Sequence, residues 1–247
     1  AVFFEVKNNF NEDLDIILSG RYEKLEKNSS FDPKFSFKYL ATNNFFVRGS
    51  IGTSFTAPSM AQMFSSDIRL GSVRDINDSP FVRLALLGNP GLKPASSENQ
   101  SFGFVWNFSS SVDLTLDYWA IDYKDRIQVQ SPQVLLSNNP FAPSITRNQF
   151  GELIAVSTSY FNEEKTNVSG IDVELNFFRA TKFGNLDYSI KATQLSKFLT
   201  PGFINEENSE IGSTMINRVG KFNYDANTHS LPKIRLNTFL NFEFKNL

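Results

Sequence analysis

VDLTLDYWA, residues 112–120, separates into two faces when it is read with a period of two. Its even positions are apolar or aromatic, while the odd positions Asp113, Thr115 and Asp117 are polar. Successive side chains of a β-strand point to opposite sides, so this alternation predicts a strand with one apolar and one polar face.

The same alternation recurs along the chain and predicts an all-β protein. Residues 171–177 and 234–244 repeat it most clearly, with Ile171, Val173 and Leu175 on one side and Asp172 and Glu174 on the other. Nine strands are predicted in all, at about residues 1–7, 14–25, 34–41, 44–55, 98–108, 112–127, 166–179, 186–198 and 233–245.

The joins between these strands alternate in length. The short joins are Asn8–Asp13, Thr42–Asn43, Ser109–Ser111 and Ala180–Asn185; the long joins are Glu26–Pro33, Thr56–Ser97, Gln128–Lys165 and Thr200–Pro232. Short turns at one end of a sheet and long loops at the other are typical of an antiparallel, up-and-down transmembrane β-barrel. A soluble sandwich, which buries its apolar faces between two sheets, is the alternative that single strands leave open.

Composition narrows the possible functions. The chain has 247 residues, 26 of them phenylalanine, and 24 basic against 26 acidic residues give a net charge of −2. This balance argues against a nucleic-acid partner, because such proteins usually carry a basic patch. Cysteine is absent, which excludes disulfides and thiolate metal sites, and the single histidine, His229, is more simply a solvated loop residue than a metal ligand.

Three aromatic residues lie within residues 118–123 of the predicted strand 112–127. Tyr118, Trp119 and Tyr123 are interpreted as part of an aromatic girdle at the membrane surface. Their alternative interpretation is as ordinary strand aromatics.

Four segments resemble, in the expected order, the TonB-dependent outer-membrane receptors. They are VRGSIGTSFTAPSMAQMF (Val47–Phe64), GNPGLKPASSENQSFGFVW (Gly88–Trp106), LDYWAIDYKDRI (Leu116–Ile127) and NVSGIDVEL (Asn167–Leu175). The residues that carry the family motifs are Ala57, Pro58, Ser59, Gly88, Asn89, Pro90, Leu92, Lys93, Pro94 and Gly170. Ala95 stands where the family pattern often has Glu, and Thr56 where it has Arg.

The resemblance implies a barrel of about 22 strands, closed around an N-terminal plug domain. It implies a receptor in the outer membrane of a Gram-negative bacterium, in contact with outer-membrane lipid, that binds a small extracellular nutrient. Import of that nutrient to the periplasm would be driven by TonB acting on the plug. Ferric siderophores, cobalamin and oligosaccharides are the nutrient classes considered.

Residues 1–247 are therefore expected to form one partial barrel domain, an incomplete fragment of about nine to ten strands without the plug or its TonB box. Physical reasoning supports a fragment, because an open sheet of nine strands would leave two rows of unpaired backbone groups in the hydrocarbon. Such a piece needs further strands in order to span a membrane.

The candidate ligand-binding residues lie in the long loops. They are Arg69, Arg74, Arg83, Phe141 and Arg147, to which Phe150 is added as a second aromatic. Arginines can hold an anionic ligand bidentately, and phenylalanines can stack on a ring; the alternative is an ordinary solvated loop of mixed charge. No catalytic constellation, cofactor site or metal site is predicted, so the chain is not expected to be an enzyme. A passive porin or adhesive barrel, and less favourably a soluble carbohydrate-binding sandwich, are the alternative functions.

Overall fold

A computed structural model describes residues 1–25, 28–76, 78–202, 215–223 and 230–244. The elements in chain order are β1 (Val2–Asn11), β2 (Leu14–Leu25), β3 (Asn28–Thr42), β4 (Phe45–Thr56), α1 (Met60–Phe64), β5 (Ser66–Ser72), β6 (Phe81–Leu87), β7 (Ala95–Ser109), β8 (Val112–Val129), α2 (Pro132–Asn138), β9 (Ile145–Arg147), β10 (Leu153–Ala180), β11 (Gly184–Pro201), β12 (Met215–Asn217) and β13 (Ile234–Phe244). No helix among these residues is long and apolar enough to cross a membrane.

Nine long strands form one antiparallel sheet, here called the wall. Their order across the sheet is β1-β2-β3-β4-β7-β8-β10-β11-β13, and β12 pairs with β11 just beyond the end of β13. All nine predicted strands are confirmed, and so is the antiparallel up-and-down arrangement. Within the described residues β1 and β13 each pair with only one strand, so the sheet is an unclosed part of a barrel.

The register of the wall confirms the two faces. Leu116 pairs with Phe104 on one side and Val173 on the other, which places three apolar side chains in one row across the sheet. The neighbouring row is polar: Arg48 donates from Nε and Nη2 to the two carboxylate oxygens of Asp117, at 3.0 and 2.6 Å. None of these three apolar residues is buried, and others on the same face, such as Phe102 and Leu236, are exposed, as expected of a lipid-facing surface.

Of the three residues interpreted as a girdle, Tyr118 alone lies on the apolar face, where a girdle residue is expected, and its girdle role stays a prediction. Tyr118 pairs with Phe102 and Ile171 on the apolar face. Trp119 lies on the polar face, where its ring covers Gly170 so closely that a Cβ at that position would meet the ring at 2.7 Å. Tyr123 pairs with Ser97 and Thr166 on the same polar face, so the interpretation is wrong for Trp119 and Tyr123.

One predicted long loop is also wrong. β2 and β3 remain paired as far as Leu25 and Asn28, so most of Glu26–Pro33 is strand rather than loop. The prediction of a loop rested on the polar composition of this stretch, but serine and aspartate can also occupy the solvated end of a strand.

Two of the long joins fold together into a compact body, here called the cap, made of residues 66–76, 78–87 and 131–159. β6 pairs in parallel with the first part of β10, β9 pairs with that same part, and β5 completes a hairpin with β6. The buried apolar cluster of the cap is Val73, Val82, Leu84, Leu136, Ala142, Ile145, Leu153 and Val156. Among the described residues, the only other buried apolar side chains are Val134 in α2 and Leu92 beside the cap, so the core lies in the loops and not in the wall.

Candidate functional site

The candidate site is the end of the wall that carries the cap. Two segments join the cap to the wall, residues 57–65 and 88–94, and together they are called the junction. Nine of the ten family-motif residues lie in the junction; Gly170 lies in β10, covered by Trp119.

The first junction segment is organised around a short helix. Ser59 forms a capping box with Gln62: the Ser59 hydroxyl accepts from the Gln62 amide at 3.2 Å, and the Gln62 side chain accepts from the Ser59 amide at 2.9 Å. Ala57 and Pro58, both half-buried, connect β4 to Ser59, the N-terminal capping residue of α1. The motif therefore starts α1 at a fixed position.

The second junction segment is hydrogen-bonded to the first. The Gly88 amide donates to the Ser65 carbonyl at 2.7 Å, and the Asn89 amide donates to the Gln62 carbonyl at 2.9 Å. A Cβ at position 88 would lie 2.7 Å from the backbone of Met63, so this close approach requires glycine. The Asn89 side chain also donates to the carbonyl of Tyr160 in β10, at 2.9 Å.

A second asparagine completes the attachment. Asn162 of β10 accepts from the Lys93 amide and donates to the Lys93 carbonyl, both at 2.8 Å, and donates also to the carbonyl of Asp125 at 2.8 Å. Asp125 has a positive φ of 54°, a conformation that aspartate tolerates better than most residues. Leu92 is buried beside this contact, Pro94 is half-buried, and Pro90 lies exposed at the turn.

Arg147 is the most heavily bonded of the predicted ligand-binding residues. It donates to both carboxylate oxygens of Asp75, at 2.7 and 2.8 Å, and to the carbonyls of Pro140 and Gly151, at 3.3 and 3.0 Å. The side chains of Arg147 and Asp75 are only 14% and 10% exposed. A guanidinium has five N–H groups, so this arrangement leaves one for another partner.

The ion pair shifts the pKa of both Asp75 and Arg147. Hydrogen bonding from Arg147 lowers the pKa of the Asp75 carboxyl below its ordinary value, against the opposing effect of burial. Hydrogen bonding to Asp75 likewise raises the pKa of the Arg147 guanidinium. Both groups are therefore charged at neutral pH, and each neutralises the other.

Phe141 and Phe150 flank this pair and are among the most exposed aromatics of the chain, at 76% and 78%. Each is a chain neighbour of a carbonyl that Arg147 binds, and the Arg147 guanidinium lies 5.5 Å from the centre of the Phe141 ring. The two exposed rings are therefore attached to backbone that one buried arginine holds in place.

Arg69 lines a cleft of about 580 Å³ between the cap and the ends of β8 and β10. The polar residues that line the cleft together with Arg69 are Gln62, Asp67, Gln128, Gln130, Thr158 and Tyr160. Leu84, Leu86, Ile127, Val129 and Pro132 supply apolar surface. The cleft offers many hydrogen-bonding groups, with one side chain of each charge.

Arg74 and Arg83 lie elsewhere on the cap. Both are exposed, and the backbone of Arg74 exchanges two hydrogen bonds with the Gln133 side chain, at 2.8 and 2.9 Å. Arg83 pairs with Leu70 on the side of the β5–β6 hairpin that faces away from the core. The structure thus places Phe141, Phe150 and Arg147 together, and leaves Arg69, Arg74 and Arg83 at separate positions.

Sequence reasoning missed several residues of this site. Asp75, Asn162 and Gln133 each bind a partner at least 59 residues away, which no local pattern reveals. The capping box was visible as Ser-x-x-Gln at Ser59–Gln62. His229 lies outside the described residues, among which no group of three or more acidic or histidine side chains is placed to hold a metal ion.

The chain was compared with known proteins. A family model described as TonB dependent receptor-like, beta-barrel, matches residues 1–246. No curated protein matches the chain.

Several solved structures share the fold. The siderophore receptor PirA from Acinetobacter baumannii aligns with a TM-score of 0.62 and 17% identity, over 99% of this chain and 31% of that one. PirA from Pseudomonas aeruginosa aligns with a TM-score of 0.59 and 15% identity, over 80% and 36% of the two chains. A mutant ferric enterobactin receptor, PfeA, from Pseudomonas aeruginosa gives 0.55 and 18%, over 81% and 28%. The chain spans about a third of the length of these receptors.

Proposed function

Since this chain belongs to the TonB-dependent receptor β-barrel family, we propose that it forms part of an outer-membrane receptor that imports an extracellular nutrient to the periplasm with energy from TonB. The observation that carries the proposal is the family match over residues 1–246. Members of this family are transporters of the Gram-negative outer membrane, and transport rather than catalysis is the activity proposed.

The wall supports the proposal physically. Its apolar face exposes large side chains such as Phe102, Leu236 and Leu240, which water would disfavour and lipid would cover. Its polar face carries ion pairs such as Arg48–Asp117 and Lys191–Glu174, which suit a hydrated barrel interior. In the whole receptor, further strands would pair with β1 and β13, and a plug would provide the contact with TonB.

A ferric siderophore is the nutrient class that we propose first, because the similar solved structures named above are siderophore receptors. Phe141 and Phe150 would contact a planar or ring-shaped part of the ligand, with Arg147 holding them. Arg69 in the polar cleft would contact an anionic group, and the exposed Arg74 and Arg83 would attract an anion at longer range.

An uptake experiment in a receptor-deficient Gram-negative host tests the proposal. The complete gene that includes this segment would be expressed with and without functional TonB, and uptake of radiolabelled ferric enterobactin, cobalamin and a maltooligosaccharide would be measured. We expect saturable uptake of one probe that disappears without TonB.

Uptake that is equal with and without TonB would favour the passive porin instead. Surface expression without uptake of any of the three probes would contradict the nutrient classes proposed. If one probe is taken up, a comparison of Phe141→Ala with Phe178→Ala on the wall would locate the binding surface. Only Phe141→Ala is expected to lower the affinity of the receptor for that probe.

A further inference from the structure

Long extracellular loops of a barrel are usually regarded as separate, adaptable segments. The cap differs, because its core is shared by two loops that lie far apart in sequence. Val82 and Leu84 come from the first loop and Leu136 and Val156 from the second, and these four are 0–8% exposed. Neither loop can separate from the other without exposing the apolar side chains of both to water.

Backbone pairing joins the same two loops. β6 of the first loop pairs with residues 155–159 of β10 in the second, over five successive residue pairs. The Thr158 hydroxyl adds a hydrogen bond to the Ala85 carbonyl at 3.2 Å. Separating the loops would break all of these hydrogen bonds at once.

Polar contacts from the second loop converge on two adjacent residues of the first. Arg147 binds Asp75 through two hydrogen bonds, and Gln133 binds the backbone of Arg74 through two more. Removing one partner of a largely buried ion pair is costly, because it leaves the other charge unpaired.

The cap is also continuous with the wall. β10 runs without interruption from Leu153 in the cap to Ala180 at the far end of the sheet. Asn89 and Asn162 bind the second junction segment to this same strand. No flexible connection separates the cap from β10.

We propose that the cap is a fixed rim of the receptor: its two loops move as one body, and that body moves with the wall. Access of a nutrient to the barrel must then depend on movement of other segments. This inference concerns rigidity alone, so it can hold or fail whichever nutrient the receptor binds.

Spin-label distances in the complete receptor test the proposal. In a variant that contains only the two introduced cysteines, Ile68→Cys with Gln149→Cys would report the distance between the loops, and Gln149→Cys with Lys124→Cys the distance from cap to wall. These three positions are exposed, so labels are accommodated without disturbing the core. Lys34→Cys with Lys124→Cys provides a matched control within the wall.

We expect a single, narrow distance distribution for both test pairs, no wider than that of the wall control. Two populations, or a distribution clearly wider than the control, for the loop pair would overturn the single body. The same result for the cap-to-wall pair alone would overturn the attachment to the wall.

Hydrogen exchange provides a second measurement that needs no labels. Asp75→Ala should reduce the protection of β6 and of residues 155–159 together, by about 100-fold or more, as expected for breaking a buried ion pair. Loss of protection in one loop while the other keeps its own would overturn the proposal.

Discussion

The wall and the cap stabilise themselves in opposite ways. The wall consists of long strands whose apolar side chains point outwards and stay exposed, while the cap gathers its apolar side chains into a small core. In the wall, backbone pairing is complete between neighbours and lipid is the expected apolar partner; in the cap, the protein supplies that partner itself. The same residue type, leucine, therefore has a different role at Leu116 and at Leu136.

The largest effect is expected from Arg147→Ala in the cap. It leaves the Asp75 carboxylate largely buried without its partner, which costs about 3–5 kcal/mol of local stability. Limited proteolysis of the folded receptor should show rapid cleavage within residues 131–159, with the wall intact. Arg83→Ala, at an exposed position of the same cap, should change little; equal cleavage of both variants would contradict the role of the ion pair.

The same ion pair predicts that the stability of the cap depends on pH. Because the folded pKa of Asp75 is lowered, its contribution to stability is fully present above the unfolded value of about 3.9 and is lost as the pH falls from there through the folded pKa. Hydrogen exchange in the cap should be steady from pH 7 to about pH 5, after correction for intrinsic rates, and should accelerate below about pH 4. Asp75→Asn should remove this acid-dependent component.

Leu116→Arg tests the wall. An arginine on the lipid face near the membrane midplane costs about 2–4 kcal/mol, so the amount of heat-modifiable, folded barrel in the outer membrane should fall. Thr115→Arg, one residue away on the polar face and beside Glu174, is the matched control and should assemble. Comparable loss from both would mean that the two faces have been assigned wrongly.

A smaller effect is expected at the boundary between the two regions. Asn162→Ala removes three hydrogen bonds to backbone groups and should cost about 1–3 kcal/mol, since the carbonyl of Lys93 and its amide lose their partner. The cap-to-wall spin-label distance should broaden while the distance between the loops stays narrow. Asn148→Ala, within the cap turn, should leave the cap-to-wall distance unchanged.

The smallest effect is expected from Ser59→Ala, which removes one side of the capping box of α1. The loss should be about 0.5–2 kcal/mol, visible as faster exchange in residues 60–65. Ser137 in α2 is not an N-cap residue, so Ser137→Ala serves as the comparison. No difference between the two serines would show that α1 is held by Gly88 and Asn89 alone.

The wall could be predicted from sequence and the cap could not, for a physical reason. In the wall each strand has one apolar and one polar face, so its pattern of alternation is visible in that strand alone, as in Val112–Ala120. In the cap the core is shared between segments more than 50 residues apart, and strands such as β9 contain only three residues. Phe141 and Phe150 lie in a loop, as the sequence predicts, and their ligand-binding role stays a prediction; the roles of Asp75 and Asn162 depend on partners that only the folded chain brings close.

β10 takes part in both regions, and this has a consequence for assembly. A strand that slips by one residue turns every side chain to the opposite face, and in the wall this would place polar side chains on the apolar face. In this chain such a slip would also remove Val156 from the cap core and break the hydrogen bond from the Thr158 hydroxyl to the Ala85 carbonyl. The wall and the cap therefore require the same register of β10, and each reinforces the other.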